Sequence, residues 1–179
     1  MGWYAISVFE GDEDKVQTRL QARFKESIIT LVPKKRVSFR KKGTRILLLK
    51  LMFPGYVLIK TKMDKEKFEI INQMSGVIRL ITTGKECAKI NENEISIILK
   101  LINKDGIIEM SKILLDGPGV KGFTVLEGPL KGMEHIIQKL SPRQKTAQVL
   151  LMFRGNSKTI SVGADIIFKE NQERGVLHI

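Results

Sequence analysis

The sequence predicts an α+β protein in which an N-terminal ferredoxin-like sandwich is joined by a linker to a small β-barrel. Three observations carry that prediction. Up to residue 102, β-rich runs and helical spacings follow the order strand, helix, strand, strand, helix, strand, with one further helix, which is the order of a split βαβ sandwich. A strong break follows at Asp116-Gly117-Pro118-Gly119. Beyond it helical spacing disappears, and short β-rich runs separated by Gly and Pro turns suggest a strongly bent barrel. The expected boundaries are residues 1–104 for the first domain, 105–118 for the linker and 119–179 for the barrel.

Each element has a local cause. Residues 3–9 are rich in β-formers and end at Glu10-Gly11, giving a first strand and a turn. Val16, Leu20 and Phe24 recur at spacing four, which marks an amphipathic helix with Asp12 or Asp14 at its start. Residues 28–39 read as extended structure interrupted by Pro33, and Lys41-Lys42-Gly43 supplies a turn. Residues 46–51 and 56–61 supply further strands. Asp64 opens a short helix with Phe68, Ile71 and Met74 on one side, closed by Ser75-Gly76, and residues 77–82 form the next strand. Asn91 followed by Glu94 matches a capping box, ahead of Ile95, Ile98, Leu99 and Ile102 at helical spacing. In the barrel the expected strands are Phe123–Glu127 and residues 135–140, 147–153, 159–162 and 166–169, the last two separated by a turn at Gly163.

Charge and composition narrow the function. The 179 residues carry 31 Lys and Arg against 19 Asp and Glu, a formal net charge of +12, which favours polyanionic partners. Cys87 is the single cysteine, so no intrachain disulfide forms and a reducing compartment is expected. The N-terminus shows no secretory signal, and the longest apolar stretch, residues 46–59, is broken by Lys50, Pro54 and Gly55 and is too short for a bilayer. A soluble, cytoplasmic monomer without membrane contact is the expectation. His135 and His178 are the only histidines, and no nucleophile elbow or phosphate loop occurs. No enzyme, cofactor or metal is therefore expected.

Candidate binding residues fall into three groups. Between residues 34 and 50 the chain places Lys34, Lys35, Arg36, Arg40, Lys41, Lys42, Arg45 and Lys50 with no acid, then runs into an apolar segment holding Phe53-Pro54-Gly55-Tyr56. Lys15, Arg19 and Arg23 repeat at spacing four and form a basic stripe on one helical face. In the barrel, Lys131, Lys139, Arg143, Lys145, Arg154 and Lys158 fall on loops and outer faces, two of them in the loop Ser141-Pro142-Arg143-Gln144-Lys145. All but Lys50 are candidate nucleic-acid contacts, because clustered cations neutralise phosphates. The barrel's aromatics, Phe123, Phe153 and Phe168, all sit in expected strands, so a stacking platform for single-stranded bases is not expected there.

Trp3-Tyr4, Val32-Pro33 ahead of a basic hairpin, and Phe53-Pro54-Gly55-Tyr56-Val57 together resemble the N-terminal (NGN) domain of NusG-type transcription factors. The stretch from Gly122 to Gly132, Gly-Phe-Thr-Val-Leu-Glu-Gly-Pro-Leu-Lys-Gly, resembles the KOW motif of their SH3-like barrel. The resemblance implies a transcription elongation factor that suppresses pausing and termination. It implies docking of the RNA polymerase clamp helices through Trp3, Phe53, Pro54 and Tyr56, beside the upstream DNA and the non-template strand. The strong positive charge is most similar to specialised antiterminators of the LoaP type, for which the barrel would recognise an RNA hairpin in the nascent leader. The alternative is a general NusG-type adaptor whose barrel binds a ribosomal protein or the termination helicase.

Overall fold

The structure is a computed structural model that describes residues 1–117 and 122–169. The chain divides into two compact units. The first comprises Met1–Lys34, Lys50–Ile107 and Leu151–Lys158; the second comprises Lys35–Leu49, Ile108–Leu150 and the chain from Thr159 onward.

In chain order the elements are β1 (Gly2–Val8), α1 (Glu13–Phe24), β2 (Ile29–Leu31), β3 (Lys34–Lys41), β4 (Thr44–Leu51), β5 (Tyr56–Thr61), α2 (Lys65–Asn72) and β6 (Val77–Leu80). There follow β7 (Thr82–Thr83), β8 (Glu86–Cys87), α3 (Glu92–Leu101), β9 (Ile107–Ile108), β10 (Ser111–Leu115), β11 (Phe123–Glu127), β12 (Ile137–Ser141), β13 (Thr146–Phe153) and β14 (Asn156–Phe168).

The first unit is built on a four-stranded sheet in the order β2-β5-β1-β6, the strand order of a ferredoxin-like sandwich. Alternation along β1 sends Tyr4, Ile6 and Val8 to one face, where they join Val16 and Leu20 of α1, Ile71 of α2, and Val57 and Ile59 of β5 in one core. Thus the spacing that marks α1 as amphipathic is the spacing of its buried residues. α2 begins at Asp64, whose carboxylate accepts the Lys67 N–H at 2.8 Å, the cap expected from the sequence. At α1 the expected cap is not made: Asp12 occupies the N-cap position without a side-chain hydrogen bond to a helix amide.

The second unit carries a five-stranded sheet, β11-β10-β14-β13-β12, in which β10 and β14 run parallel. Its core includes Ile113, Val125, Leu130, Val149, Val162 and Ala164. Three features differ from the sequence reading. Ser111–Leu115, inside the segment expected to link two domains, is a strand of this sheet. Residues 135–140 do not form one strand: a single 3-10 turn, Glu134–Ile136, precedes β12. The two last expected strands are one 13-residue strand, β14, and Gly163 does not turn it. A Cβ at Gly163 would overlap the Arg36 carbonyl oxygen, so this glycine marks a close backbone approach. Gly128 of the Gly-Pro motif has the same logic: its φ is +97°, and a Cβ would lie 2.6 Å from Ser111 Cα. Part of the expected break, Pro118-Gly119, lies outside the described residues, as does His178.

The third sheet, β4-β3-β9, carries the basic hairpin. Lys42 and Gly43 close it in two residues with φ of 48° and 83°, the left-handed pair of a type I′ turn.

Candidate functional site

In the first unit, the Phe53-Pro54-Gly55-Tyr56 loop is held by a buried carboxylate. Glu13, 2 % exposed, accepts the Gly55 N–H at 2.7 Å and the Gly11 N–H at 2.8 Å, while the Gly55 carbonyl accepts the Val8 N–H at 2.9 Å. Gly55 has φ of +79°, which a glycine adopts without strain. A charged acceptor shared by two backbone donors is well placed to fix a loop, since such bonds are stronger than neutral ones. The loop therefore enters β5 with one set conformation, and Tyr56 stands opposite Ser7 of β1.

The four residues the family resemblance singles out are not equivalent. Pro54 is exposed, and Trp3 and Tyr56 are half-buried. Trp3 pairs with Lys60 and Ser7 with Tyr56, so alternation puts Trp3 and Tyr56 on one face of the sheet, separated by four residues along β1, about 14 Å. Phe53 is 1 % exposed and is not at the surface. Its ring stacks on Phe153 with centroids 4.2 Å apart and planes 10° apart; Tyr56 meets the same Phe153 edge-on at 5.5 Å. Both are geometries that aromatic quadrupoles favour.

The segment Leu151–Lys158 thus belongs to this unit by its contacts. Arg154 Nη1 donates to the Tyr56 hydroxyl at 2.9 Å, and its guanidinium lies 5.5 Å from the Tyr56 ring centroid. Lys158 Nζ lies 5.5 Å from the Phe53 ring centroid. Arg154 and Gly155 make a tight left-handed turn, φ of 57° and 72°, and both amides donate to Glu94, at 3.0 and 2.9 Å. The capping box expected at α3 is half made. Asn91 does accept the Asn93 N–H at 2.8 Å, while the Glu94 carboxylate closes on the Arg154-Gly155 turn.

The remaining cations separate into paired and unpaired sets. In the first unit, Lys15 pairs with Asp12 at 2.8 Å, Lys34 with Asp14 at 2.8 Å, and Arg19 donates to the Ser75 carbonyl at 2.7 Å. Lys15 also holds the Asp12 carboxyl below its usual range, chiefly by that hydrogen bond. Arg23 is exposed and has no carboxylate partner among the described residues.

In the second unit, Arg36 makes a two-pronged contact with Glu109 at 2.6 and 3.1 Å, which raises its pKa further. Lys35 is half-buried beside it. Asp165 draws together two cations a hundred residues apart in sequence, Lys145 at 3.0 Å and Arg45 at 3.8 Å. The Lys145 hydrogen bond, followed by the nearby charges, holds the Asp165 carboxyl below the ordinary range. Arg40, Lys41 and Lys42 at the hairpin tip, and Lys131, Lys139 and Arg143 on the barrel, are exposed and lack a carboxylate partner among the described residues. These six are free to meet an external anion.

Glu13, Glu94, Phe153 and Asp165 carry this geometry, and none of them is among the candidate binding residues of the sequence. Apart from Gly11 beside Glu13, their partners lie 20 to 120 residues away, and no local motif announces such pairings. Among the described residues no cluster of three or more His, Cys, Asp or Glu is arranged to hold a metal ion, and no helix is long and apolar enough to cross a membrane.

Comparison with known proteins agrees with the fold. Residues 1–99 match the family described as NusG, transcription termination factor nusG. The transcription termination/antitermination protein NusG of Pseudomonas aeruginosa is 25% identical over 167 residues, covering 89% of this chain and 93% of its own. That of Chlamydia trachomatis is 29% identical over 119 residues, covering 62% of this chain and 64% of its own. A solved structure describing domain interaction in Thermotoga maritima NusG superposes with a TM-score of 0.56 at 18% identity, covering 90% of this chain and 93% of that one.

Proposed function

We propose, since the chain belongs to the NusG family of transcription termination and antitermination factors, that it is a specialised antiterminator that binds RNA polymerase through its N-terminal domain and suppresses pausing and termination. The observation that carries the reading is the family match over residues 1–99 together with the Phe53–Tyr56 loop fixed by Glu13 inside it. The docking surface is the sheet face and loop bearing Trp3, Pro54 and Tyr56, and the partner is the polymerase clamp helices. Phe53 joins that surface when Phe153 leaves it, because the two rings are stacked in this structure. No bond chemistry is assigned: a factor that binds elongating polymerase more tightly than paused polymerase shifts the balance between them. Such a factor acts in the cytoplasm, where the polymerase is.

The unpaired cations give the nucleic-acid contacts. Arg40, Lys41 and Lys42 at the hairpin tip are suited to upstream or non-template DNA, and Lys131, Lys139 and Arg143 to a hairpin in the nascent leader RNA. This basic set underlies the likeness to LoaP-type paralogues. A second reading, a general adaptor whose barrel meets a ribosomal protein or termination helicase, is favoured by the outward apolar side chains Leu126, Leu150 and Ile167, which are 37 to 39% exposed. Salt separates the two. RNA held by cations dissociates steeply as salt rises, and a protein held by these apolar side chains does not.

The direct test is capture of RNA polymerase by the intact chain. Tyr56→Ala and Pro54→Ala should abolish it while the circular dichroism spectrum is retained. Equal capture by both variants would remove the docking surface from this loop.

A further inference from the structure

We propose that the outer edge of β4 is a docking site for an extended, acid-flanked apolar segment of a partner protein, which adds to the β4-β3-β9 sheet as a further strand. β4 is terminal in that sheet, and among the described residues no strand pairs with its outer side. The two-residue turn at Lys42-Gly43 makes Lys41 and Thr44 a hydrogen-bonded pair. Alternation from there turns the N–H and C=O groups of Arg45, Leu47 and Leu49 away from β3. An unpaired row of this kind is a template for another strand.

The side chains favour a peptide over a nucleic acid. Leu47, Leu48 and Leu49 are 52%, 36% and 47% exposed, so apolar surface is presented on both faces of the edge. Phosphates would engage the neighbouring cations but leave three leucines in water and the backbone row unpaired. The hairpin offers one exposed ring, Phe39, which is too little to stack a run of bases. The cation cluster at the tip and the leucine edge are therefore separable features of one hairpin.

Charge selects the occupant. The run from residue 34 to residue 50 contains eight cations and no acid, and Lys41, Lys42 and Lys50 have no carboxylate partner among the described residues. Cations on an edge normally protect it from pairing. Here they discriminate. A second copy of the strand brings the same run of cations and no acid to the edge, so pairing with it sets positive charge against positive charge, which disfavours it. A strand with apolar residues at its centre and Asp or Glu at its ends meets leucines at the centre and cations at both ends. The chain thus excludes itself and admits an acidic partner.

The experiment uses the intact chain and a fluorescein-labelled eight-residue probe with alternating Val and Ile at its centre and two Glu at each end. Its controls are a Lys-ended probe and a ten-nucleotide oligo-dT. Saturable anisotropy with the acidic probe is expected. Binding should weaken at least about tenfold for the Lys-ended probe and for Leu47→Ser/Leu49→Ser, whose positions are exposed and tolerate polar side chains. Arg40→Gln/Lys41→Gln/Lys42→Gln should retain much of the peptide affinity while oligo-dT binding falls. Absence of saturation by the acidic probe would overturn the proposal, and so would equal binding of the two peptides. So would oligo-dT binding that the leucine variant abolishes, which would make the edge a nucleic-acid surface. A dimer seen by sedimentation and abolished by the same variant would make a second copy the occupant.

Discussion

Glu94→Gln leaves the shape of α3 unchanged but removes one of the two charged acceptors that hold the Arg154-Gly155 turn. In the wild type each carboxylate oxygen accepts one turn amide, at 3.0 and 2.9 Å, and the side chain is 9% exposed. Glutamine keeps one acceptor oxygen and directs an NH2 group at the second amide, so one bond is lost and the other loses its charge. A hydrogen bond to a charged group contributes about 1.5–3 kcal/mol, which makes the expected loss about 2 kcal/mol. That corresponds to about a thirtyfold rise in the open population of the turn. The assay is amide exchange. The Arg154 and Gly155 amides should exchange about thirtyfold faster, while the Val125 and Val149 amides in the second unit's core should not change. If the turn is what keeps Phe153 on Phe53, polymerase affinity should rise by a similar factor, because the competent state is more populated. Unchanged exchange at Arg154 and Gly155 would show that the carboxylate does not hold the turn.

Other perturbations test the remaining elements. Phe153→Ala should lower unfolding free energy in denaturant titration by about 3–5 kcal/mol, with Phe153→Leu much milder, since it empties a site packed against two rings. Glu13→Gln should destabilise by about 2 kcal/mol and speed exchange of the Gly55 and Gly11 amides, with little effect on amides of β10. Gly128→Ala should cost at least about 1–3 kcal/mol, read as a lowered Tm, because φ is +97° and the new methyl meets backbone at Ser111 and Met110. Asp165 has a folded pKa below its unfolded one, owing first to Lys145, so its contribution to stability is present above the unfolded value near 3.8 and is lost as pH falls through the folded one. Asp165→Asn should therefore be less stable than wild type at neutral pH, with the gap closing only below about pH 4. The gap should be small, because the group is partly exposed and screened by solvent.

The order of elements was legible because it rests on local signals: alternation in β1, four-residue spacing in α1, and the Asp64 and Asn91 caps. The family loop was legible as a string of residues, but not its accessibility. Phe53 looks in sequence like an aromatic beside Tyr56, and only a contact a hundred residues away makes it a buried ring. Glu94 shows the same limit more sharply. Its spacing from Asn91 matches a capping box, yet a turn sixty residues downstream takes the carboxylate. Gly163 reads as a turn because glycine marks turns and close approaches alike, and only the neighbouring Arg36 backbone distinguishes them. Residues 111–115 read as part of a linker because five residues between turn clusters carry little periodicity of their own; pairing with β11 and β14 makes them a strand. Among the cations, sequence showed the number, while the structure showed which are paired with Asp12, Asp14, Glu109 and Asp165.

The central claim, that this chain acts on RNA polymerase as an antiterminator through the Pro54–Tyr56 loop, is tested most directly by single-round transcription through an intrinsic terminator downstream of a structured leader. Readthrough by bacterial RNA polymerase should rise with the concentration of the intact chain and return to the level without factor when Tyr56 is replaced by alanine. Readthrough that does not respond to the intact chain, or that responds equally to Tyr56→Ala, would contradict it.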